Sequence, residues 1–308
     1  MSDGIARDQY AVIGNPVAHS LSPRIHAMFA AETAQAISYG TLTAPLDGFA
    51  AAAGEFFDGG GRGLNVTVPF KQDAWRWVTR HDAAAAASGA VNTIVPEDDA
   101  FRGCNTDGIG LVRDLSENLG WTLAGARVLL LGAGGAARGV LPALREAGPA
   151  EITLANRTES RALEVAARFD GLRACSLADM GEGWDIVLNA TSASMGGPAL
   201  GAGTVETTET KEGAGDLSQF SRSENLPERA EGVLALPNTC VAGAACYDLF
   251  YNLGAPTPFC AWADQHGARV CADGLGMLIE QAAEAFRLWR GVPPATRKVR
   301  EALRKADP

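Results

Sequence analysis

The segment Ala126–Gly148, ARVLLLGAGGAARGVLPALREAG, decides the fold. It begins with a short apolar run, passes through a glycine-rich turn into a helical pattern, and stops at a glycine. In a G-x-G-x-x-G/A turn, the first glycine permits a tight turn and the second lets the backbone approach a pyrophosphate. The small third residue lets the helix pack close to its strand. We therefore predict a dinucleotide-binding turn, rather than a turn with only a structural role, made of Gly132, Ala133, Gly134, Gly135, Ala136 and Ala137.

The strand that follows this helix predicts which dinucleotide binds. An NAD site usually ends this strand with an acidic residue that holds the ribose 2′-hydroxyl. Here the strand EITLANRT ends without an acid, and Arg157 can instead pair with a 2′-phosphate through its planar guanidinium. Asn156 and Thr158 add hydrogen-bonding groups, and Arg161 lies four residues beyond Arg157. We therefore predict NADP as the cofactor; the alternative is that Arg157 is one exposed arginine among 22.

The rest of the chain also alternates between strand and helix patterns. The runs YAVIG and GLNVTV, near the N-terminus, predict short buried strands. A helix is expected between them, with Ser22 as its N-cap and Pro23 at its first position. The pattern predicts an α/β protein of 308 residues in two domains, each with a largely parallel sheet.

One segment interrupts this alternation. Residues 198–232 contain seven acidic and three basic residues and almost no apolar periodicity. Such a composition is typical of a long surface loop or a disordered insertion. A lid or a partner-binding loop is the alternative.

The overall composition excludes several classes of protein. A formal charge of −10 argues against a surface that binds nucleic acid or an anionic membrane. The sequence contains no run of 18 apolar residues, so no membrane span is predicted. The N-terminus has no apolar stretch typical of a signal peptide. The six cysteines form no CxxC pair, so free thiols in the cytoplasm are expected. The four histidines lie in no ligand pattern, so we expect no metal site.

Lys71 is an unusual residue for this chain. Only four of the 26 basic residues are lysines, and Lys71 is the only one in the first 210 positions. Pro69 fits the first position of a helix, which would place Lys71 in the opening turn, where the helix dipole disfavours a cation. Lysine, unlike arginine, can release its proton. We therefore predict a proton-transfer role for Lys71; the alternative is a solvent-facing lysine with no role.

These motifs together resemble one enzyme family. The stretches GNPVAHSLSPRIH, NVTVPFK, GAVNTI, NTDG, GAGGAA, NRT, YDLFY and GLGMLIEQA are similar to motifs of shikimate dehydrogenase, in this order. The resemblance covers nearly the whole chain apart from residues 198–232. It implies reversible, NADPH-dependent reduction of 3-dehydroshikimate to shikimate, in the pathway to chorismate and the aromatic amino acids.

The resemblance also implies a role for individual residues. Lys71 and Asp107 would form the catalytic pair, although Asp107 could also cap the following helix. The substrate would be bound by Ser20, Ser22, Asn65, Thr67, Asn92, Tyr247 and Gln281. Among these, the serines would bind the carboxylate, Tyr247 would reach the substrate from the cofactor domain, and Asn65 would support the site. Further contacts to the cofactor would come from Thr191, Gly274 and Met277.

For Gln281 to reach a substrate held by the first domain, the chain must return to that domain near its end. We therefore expect a substrate-binding domain of residues 1–107 with 270–308 and an NADP-binding Rossmann domain of residues 108–269. The insertion departs from the family pattern by about thirty residues and would lie near the nicotinamide entrance. A monomer or a homodimer is expected.

Two alternatives remain open at this point. A quinate/shikimate dehydrogenase of the same superfamily would accept more substrates or use NAD. A non-catalytic NADPH-sensing module would need the glycine turn and Arg157, but not Lys71 and Asp107.

Overall fold

The computed structural model describes residues 7–191 and 236–305. The acidic segment predicted as a surface loop, residues 198–232, lies outside the described residues. Within the described part, the chain forms two six-stranded sheets with helices packed on them. This arrangement confirms the predicted two-domain α/β fold.

The first sheet has the strand order β2-β1-β3-β5-β6-β4. Its strands are β1 (Asp8–Gly14), β2 (Ile37–Thr43), β3 (Gly61–Val66), β4 (Arg80–His81), β5 (Thr93–Glu97) and β6 (Ala100–Cys104). Its helices are α1 (Ser22–Thr33), α2 (Phe49–Asp58), α3 (Lys71–Trp77) and α4 (Ala83–Ser88). Strand β5 runs antiparallel to both of its neighbours, so this sheet is mixed rather than largely parallel.

Both faces of the first sheet are covered, as the alternation of side chains along β1 requires. Ala11 and Ile13 pack with Phe70 in one core, while Tyr10 points to the opposite core and packs with Phe286.

The second sheet is parallel throughout and has the order β12-β11-β10-β7-β8-β9. Its strands are β7 (Arg127–Leu131), β8 (Glu151–Asn156), β9 (Arg173–Ser176), β10 (Ile186–Asn189), β11 (Ala245–Asp248) and β12 (Val270–Asp273). Its helices are α6 (Gly135–Glu146), α7 (Glu159–Ala166) and α8 (Pro258–Gln265). Counted from β7, the order is 3-2-1-4-5-6, which is the order of a dinucleotide-binding Rossmann domain.

Three further helices connect the two domains. Helix α5 (Asp107–Arg113) leaves the first domain and continues as a π-helical turn, Asp114–Asn118. Helices α9 (Leu275–Arg290) and α10 (Arg297–Lys305) return to the first domain, where Ile279 and Phe286 pack with α1. The predicted return of the chain is therefore confirmed.

The exact position of this return differs from the prediction. Strand β12 pairs with β11, so residues 270–273 belong to the second sheet and not to the first domain. The crossing point is Gly274, which immediately precedes α9. The short strand was missed because its four residues, VCAD, show no clear apolar period.

Helix ends also differ in detail from the sequence prediction. Ser22 is the first residue of α1 and Leu21 is its N-cap, so Ser22 does not cap the helix as expected. Pro69 lies before α3, with Phe70 at the N-cap, and Lys71 is the first helical residue. The predicted opening-turn position of Lys71 is thus confirmed. Gly291, in the left-handed region at φ 72°, ends α9.

The cysteines do not all remain free thiols. Cys260 of α8 and Cys271 of β12 form a disulfide, with their Cα atoms 5.5 Å apart. The prediction was wrong for this pair because only the packing of α8 on β12 brings the two residues together. Cys104, Cys175, Cys240 and Cys246 are free and buried. In the part of the chain that the structure describes, no helix is long and apolar enough to span a membrane.

Candidate active site

The side chains of Lys71 and Asp107 meet where the first domain borders helix α6 of the second, a region called the cleft from here on. Each is the first residue of its helix, α3 and α5 respectively. Lys71 Nζ donates a hydrogen bond of 2.5 Å to Asp107 Oδ2. The lysine side chain is 17% exposed and the aspartate 7%, so the pair is shielded while part of the lysine side chain remains in contact with solvent.

The second oxygen of Asp107 is also held. Asn92 Nδ2 donates to Asp107 Oδ1 over 2.8 Å, and the Asp107 N–H donates to Asn105 Oδ1 over 3.0 Å. The carboxylate is therefore used for contacts to Lys71 and Asn92 rather than for capping α5, whose N-cap residue is Thr106.

Gln281 joins this cluster from the returning helix α9. Its Oε1 atom accepts hydrogen bonds from Asn92 Nδ2 and Thr106 Oγ1, each over 3.3 Å. The structure thus brings Asn92 and Gln281 together with the lysine–aspartate pair, across 189 positions of sequence.

Asn65 and Thr67 lie at the end of β3, beside the cluster. Asn65 is buried, and its amide donates to the Asn92 carbonyl over 3.1 Å and to Thr93 Oγ1 over 3.0 Å. Its Oδ1 atom accepts a hydrogen bond from Tyr39. The Asn65 amide is thus engaged within the protein. Thr67 is half-buried and follows the strand directly.

Ser20 and Ser22 lie together at the start of α1. Ser20 Oγ donates to Ser22 Oγ over 3.1 Å, and the Ser22 N–H donates to Ser20 Oγ over 3.2 Å. The N-terminus of a helix attracts an anion through its free N–H groups and its dipole. This geometry suits a carboxylate ligand.

Tyr247 does not lie where the sequence analysis expects it. It is fully buried within β11, where its hydroxyl donates to Asp114 Oδ2 over 2.6 Å and accepts from the Met277 N–H over 3.2 Å. Tyr247 therefore connects the second sheet with the π-helical turn and α9, and it is not available to a ligand in the cleft.

The second tyrosine of YDLFY, Tyr251, fits the expected role better. It is partly exposed, and it follows β11 rather than lying within it. Burial raises the pKa of Tyr251, and a hydrogen bond with the backbone of Leu21, between the two serines, offsets part of this rise. Sequence position could have identified Tyr251. In open α/β sheets ligands lie beyond the carboxyl ends of the strands, and Tyr251 follows β11 whereas Tyr247 lies within it.

The glycine turn lies at the carboxyl end of β7, the central strand of the second sheet. Gly132 has φ 102°, and a Cβ atom there would lie 3.1 Å from both the Ala190 carbonyl oxygen and Thr191 Cγ2. Only glycine fits this position without strain. Cβ atoms on Gly134 and Gly135 would meet open space at the N-terminus of α6. The turn therefore has the shape and the free N–H groups that a pyrophosphate needs.

The residues predicted to select NADP lie at the same edge of the sheet. Asn156 ends β8, and its side chain donates to the Thr158 carbonyl over 2.8 Å. Arg157, Thr158 and Arg161 are exposed, so their side chains are free to approach a ligand. Thr191 adjoins Gly132 and donates to Asn189 Oδ1 over 2.7 Å.

Gly274 and Met277 lie where the chain leaves the second sheet for α9. The Gly274 N–H donates to the Phe250 carbonyl over 2.9 Å. Met277 is buried in the core of the second domain, so the structure leaves little of its side chain open to a ligand.

Three family models match the chain. Residues 12–94 match the shikimate dehydrogenase substrate binding domain, 114–216 match shikimate / quinate 5-dehydrogenase, and 274–304 match the shikimate 5'-dehydrogenase C-terminal domain. A protein of Alkalilimnicola ehrlichii named shikimate dehydrogenase (NADP(+)) is 46% identical over 300 residues, which cover 96% of this chain and 98% of the relative.

The chain belongs to the shikimate dehydrogenase family.

Other relatives agree with this assignment. A shikimate dehydrogenase (NADP(+)) of Aromatoleum aromaticum is 48% identical over 305 residues, covering 97% of each chain. Among solved structures, the shikimate 5-dehydrogenase of Thermus thermophilus in complex with NADP(H) and shikimate is 33% identical, with a TM-score of 0.77. That match covers 97% of this chain and 99% of the Thermus chain.

The matched regions of the shikimate dehydrogenase family correspond to the parts of the cleft. The substrate-binding model spans the serines of α1, the end of β3 and Lys71, while the C-terminal model begins at Gly274 and includes Gln281.

Among residues 7–191 and 236–305, no group of three histidine, cysteine or acidic side chains could hold a metal ion. The buried His26 has its pKa lowered to about 3 by burial, so its ring is neutral at physiological pH.

Proposed function

We propose that this member of the shikimate dehydrogenase family reduces 3-dehydroshikimate reversibly to shikimate with NADPH, in the route to chorismate and the aromatic amino acids. The observation that carries the proposal is the 2.5 Å contact of Lys71 Nζ with Asp107 Oδ2 in the interdomain cleft. The relatives named shikimate dehydrogenase (NADP(+)) support the choice of reaction and cofactor.

Substrate binding is assigned to the groups around this pair. Ser20, Ser22 and Tyr251 would bind the carboxylate, since the N-terminus of α1 favours an anion there. The ring hydroxyls would be held by Thr67, Asn92 and Gln281, while Asn65 orients its neighbours.

The cofactor would be held by the second domain. The glycine turn Gly132–Ala137 would bind the pyrophosphate at the N-terminus of α6. Arg157 and Arg161, with Asn156 and Thr158, would bind the 2′-phosphate. Bound NADPH supplies the hydride for reduction of the C3 carbonyl.

Lys71 moves the proton that the reduction needs. Its ammonium group donates one proton to the oxygen of the former carbonyl. The neutral amine then regains a proton from solvent, because part of the Lys71 side chain is exposed. Asp107 keeps the amine in position throughout, because its carboxylate is itself held by Asn92. In the oxidation of shikimate, the neutral amine of Lys71 accepts the hydroxyl proton.

Two observations weigh against the alternative functions. A non-catalytic NADPH-sensing module has no need of a shielded lysine–aspartate pair in the cleft. A site for NAD usually carries an acid at the end of the strand that corresponds to β8, whereas this chain has Asn156 followed by Arg157.

We also propose a cytoplasmic enzyme, monomeric or homodimeric, without a nucleic-acid partner, in keeping with its net charge of −10.

Initial rates with shikimate and with quinate, each with NADP and with NAD, test the proposal. We expect shikimate with NADP to be the best pair by kcat/KM. Turnover of quinate at a similar kcat/KM would favour the broader quinate/shikimate enzyme. No turnover with any pair, in protein that binds NADPH, would support the sensing module.

A further inference from the structure

Tyr39 lies in β2, beside the substrate-binding residues but outside every motif that the sequence analysis assigned to the site. Its ring stacks on the fully buried ring of His26, with centroids 4.1 Å apart and planes 5° apart. Its hydroxyl donates to Asn65 Oδ1 over 2.7 Å. The stack fixes the plane of the tyrosine ring, and the hydroxyl proton prefers to lie in that plane.

The Tyr39 hydroxyl is one of three groups that hold the Asn65 amide in one orientation. Burial raises the pKa of Tyr39 well above its ordinary value, so the hydroxyl keeps its proton and acts as a donor to Asn65. The Asn65 oxygen must then face Tyr39. Its NH₂ group faces the other way and donates to Thr93 Oγ1 and to the Asn92 carbonyl.

From Asn65 the hydrogen bonds continue in the same direction to the catalytic pair. Thr93 Oγ1 accepts from Asn65, so its own proton is directed to Asn92 Oδ1, 3.0 Å away. The Asn92 oxygen also accepts from the Thr106 N–H over 2.9 Å, and the amide presents its NH₂ group to Asp107 Oδ1 over 2.8 Å. The other oxygen of Asp107 holds Lys71. Each link donates toward Asp107, so reversing any one amide would place two acceptors or two donors against each other.

We propose that Tyr39 is a positioning residue for the proton transfer, acting through Asn65, Thr93 and Asn92 on the carboxylate of Asp107. This inference rests on the proposed function, since it concerns the same lysine–aspartate pair. Without the Tyr39 hydroxyl, the buried Asn65 oxygen loses its donor, so Asn65 is held less firmly against Thr93 and the Asn92 carbonyl.

Tyr39→Phe tests the proposal because it keeps the ring on His26 and removes only the hydroxyl. We expect kcat for shikimate oxidation to fall about tenfold, the effect of losing one oriented hydrogen bond in the reacting complex. The KM for NADP should stay within twofold, and kcat should be referred to active sites counted by NADPH titration. Tyr10→Phe is the matched control, because Tyr10 is the register partner of Tyr39 on β1 and its hydroxyl contacts Arg290 instead of the site.

Thr93→Val interrupts the same series of hydrogen bonds at a fully buried link. We expect it to lower kcat by a similar factor, and the double variant with Tyr39→Phe to lose no more than the larger single loss. Wild-type kcat in Tyr39→Phe, the same loss in Tyr10→Phe, or losses that multiply in the double variant would each overturn the proposal. Failure of the proposed function is a different result: the wild-type enzyme would not turn over shikimate with NADP at all.

Discussion

Gly139 of α6 lies directly against the carboxylate of Asp107. A Cβ atom on Gly139 would lie 2.8 Å from Asp107 Oδ2, the same oxygen that accepts the hydrogen bond from Lys71. The helix that opens with the dinucleotide-binding turn is therefore in contact with the proposed catalytic pair. This contact exists only because residue 139 has no side chain.

Gly139→Ala should displace Asp107 from Lys71, because no atom can remain 2.8 Å from the added methyl group. We expect kcat to fall at least about tenfold, part of the 10²–10⁴ that general acid–base catalysis contributes. The KM for NADP should change little, since the glycine turn itself is untouched. Gly54→Ala is the control, because its Cβ would meet nothing within 4 Å in helix α2. A Gly139→Ala enzyme with wild-type kcat would show that the carboxylate can move without consequence.

The two tyrosines of YDLFY should give opposite results. Tyr251→Phe should raise the KM for shikimate several-fold and leave stability nearly unchanged, since its hydroxyl lies beside the serines. Tyr247→Phe should instead lower the free energy of unfolding by about 1–3 kcal/mol, because Asp114 loses its buried donor. Steady-state kinetics and urea unfolding of both variants measure this. If Tyr247→Phe raised the KM for shikimate more than Tyr251→Phe does, the assignment of substrate binding to Tyr251 and of a structural role to Tyr247 would be wrong.

Arg157 should decide the preference between the two cofactors. We expect NADP to be preferred over NAD by at least about tenfold in kcat/KM, or roughly 1.4 kcal/mol. Arg157→Ala should raise the KM for NADP and leave that for NAD nearly unchanged. Arg173→Ala is the control, because this exposed arginine opens the neighbouring strand β9 and pairs with Glu151 at the start of β8. An equal loss with both cofactors would remove the assignment of the 2′-phosphate to Arg157.

Glu284 of α9 should contribute stability that depends on pH. Burial raises the pKa of this carboxyl, but hydrogen bonds and charges from Arg287 and Arg113 outweigh that effect and lower it below the ordinary 4.5. A lowered pKa contributes stability that is present above 4.5 and is lost as the pH falls through the folded-state value. Glu284→Gln should therefore cost about 2 kcal/mol of unfolding free energy at pH 7 and much less at pH 3.

Urea unfolding of Glu284→Gln across this pH range measures the effect. Glu301→Gln is the control, because this carboxylate is exposed and lies 4.0 Å from Arg297. Its unfolding free energy should differ little from that of the wild-type protein at any pH. A difference in unfolding free energy between Glu284→Gln and the wild-type protein that stays constant from pH 7 to pH 3 would contradict the lowered pKa of Glu284.

Local patterns were enough to predict the parts of the site that lie within one element. The turn after β7 was readable because a strand, three small residues and a helix follow one another in a fixed spacing. The position of Lys71 was readable because a proline favours a helix start nearby, and α3 begins two residues after Pro69. Both predictions use only neighbouring residues.

Contacts between distant elements could not be predicted in this way. The contact of Gly139 with Asp107 depends on how closely α5 and α6 approach, and the Cys260–Cys271 disulfide depends on how α8 lies on β12. Tyr247 was given the role that suits Tyr251 because the sequence alone did not show where β11 ends. Tyr39 carries no motif, and its hydrogen bond to Asn65 arises from strands that are not adjacent in the sheet.

The kcat of Lys71→Arg tests most directly whether a proton is transferred at position 71. Arginine keeps the positive charge but does not release its proton at working pH. We expect Lys71→Arg to lose about 10²–10⁴ in kcat, nearly as much as Lys71→Ala, with the KM for NADP almost unchanged. Lys298→Arg, at an exposed lysine of α10, is the matched control and should behave as wild type. Wild-type kcat in Lys71→Arg would mean that only positive charge is needed there, and it would contradict the proposed proton transfer.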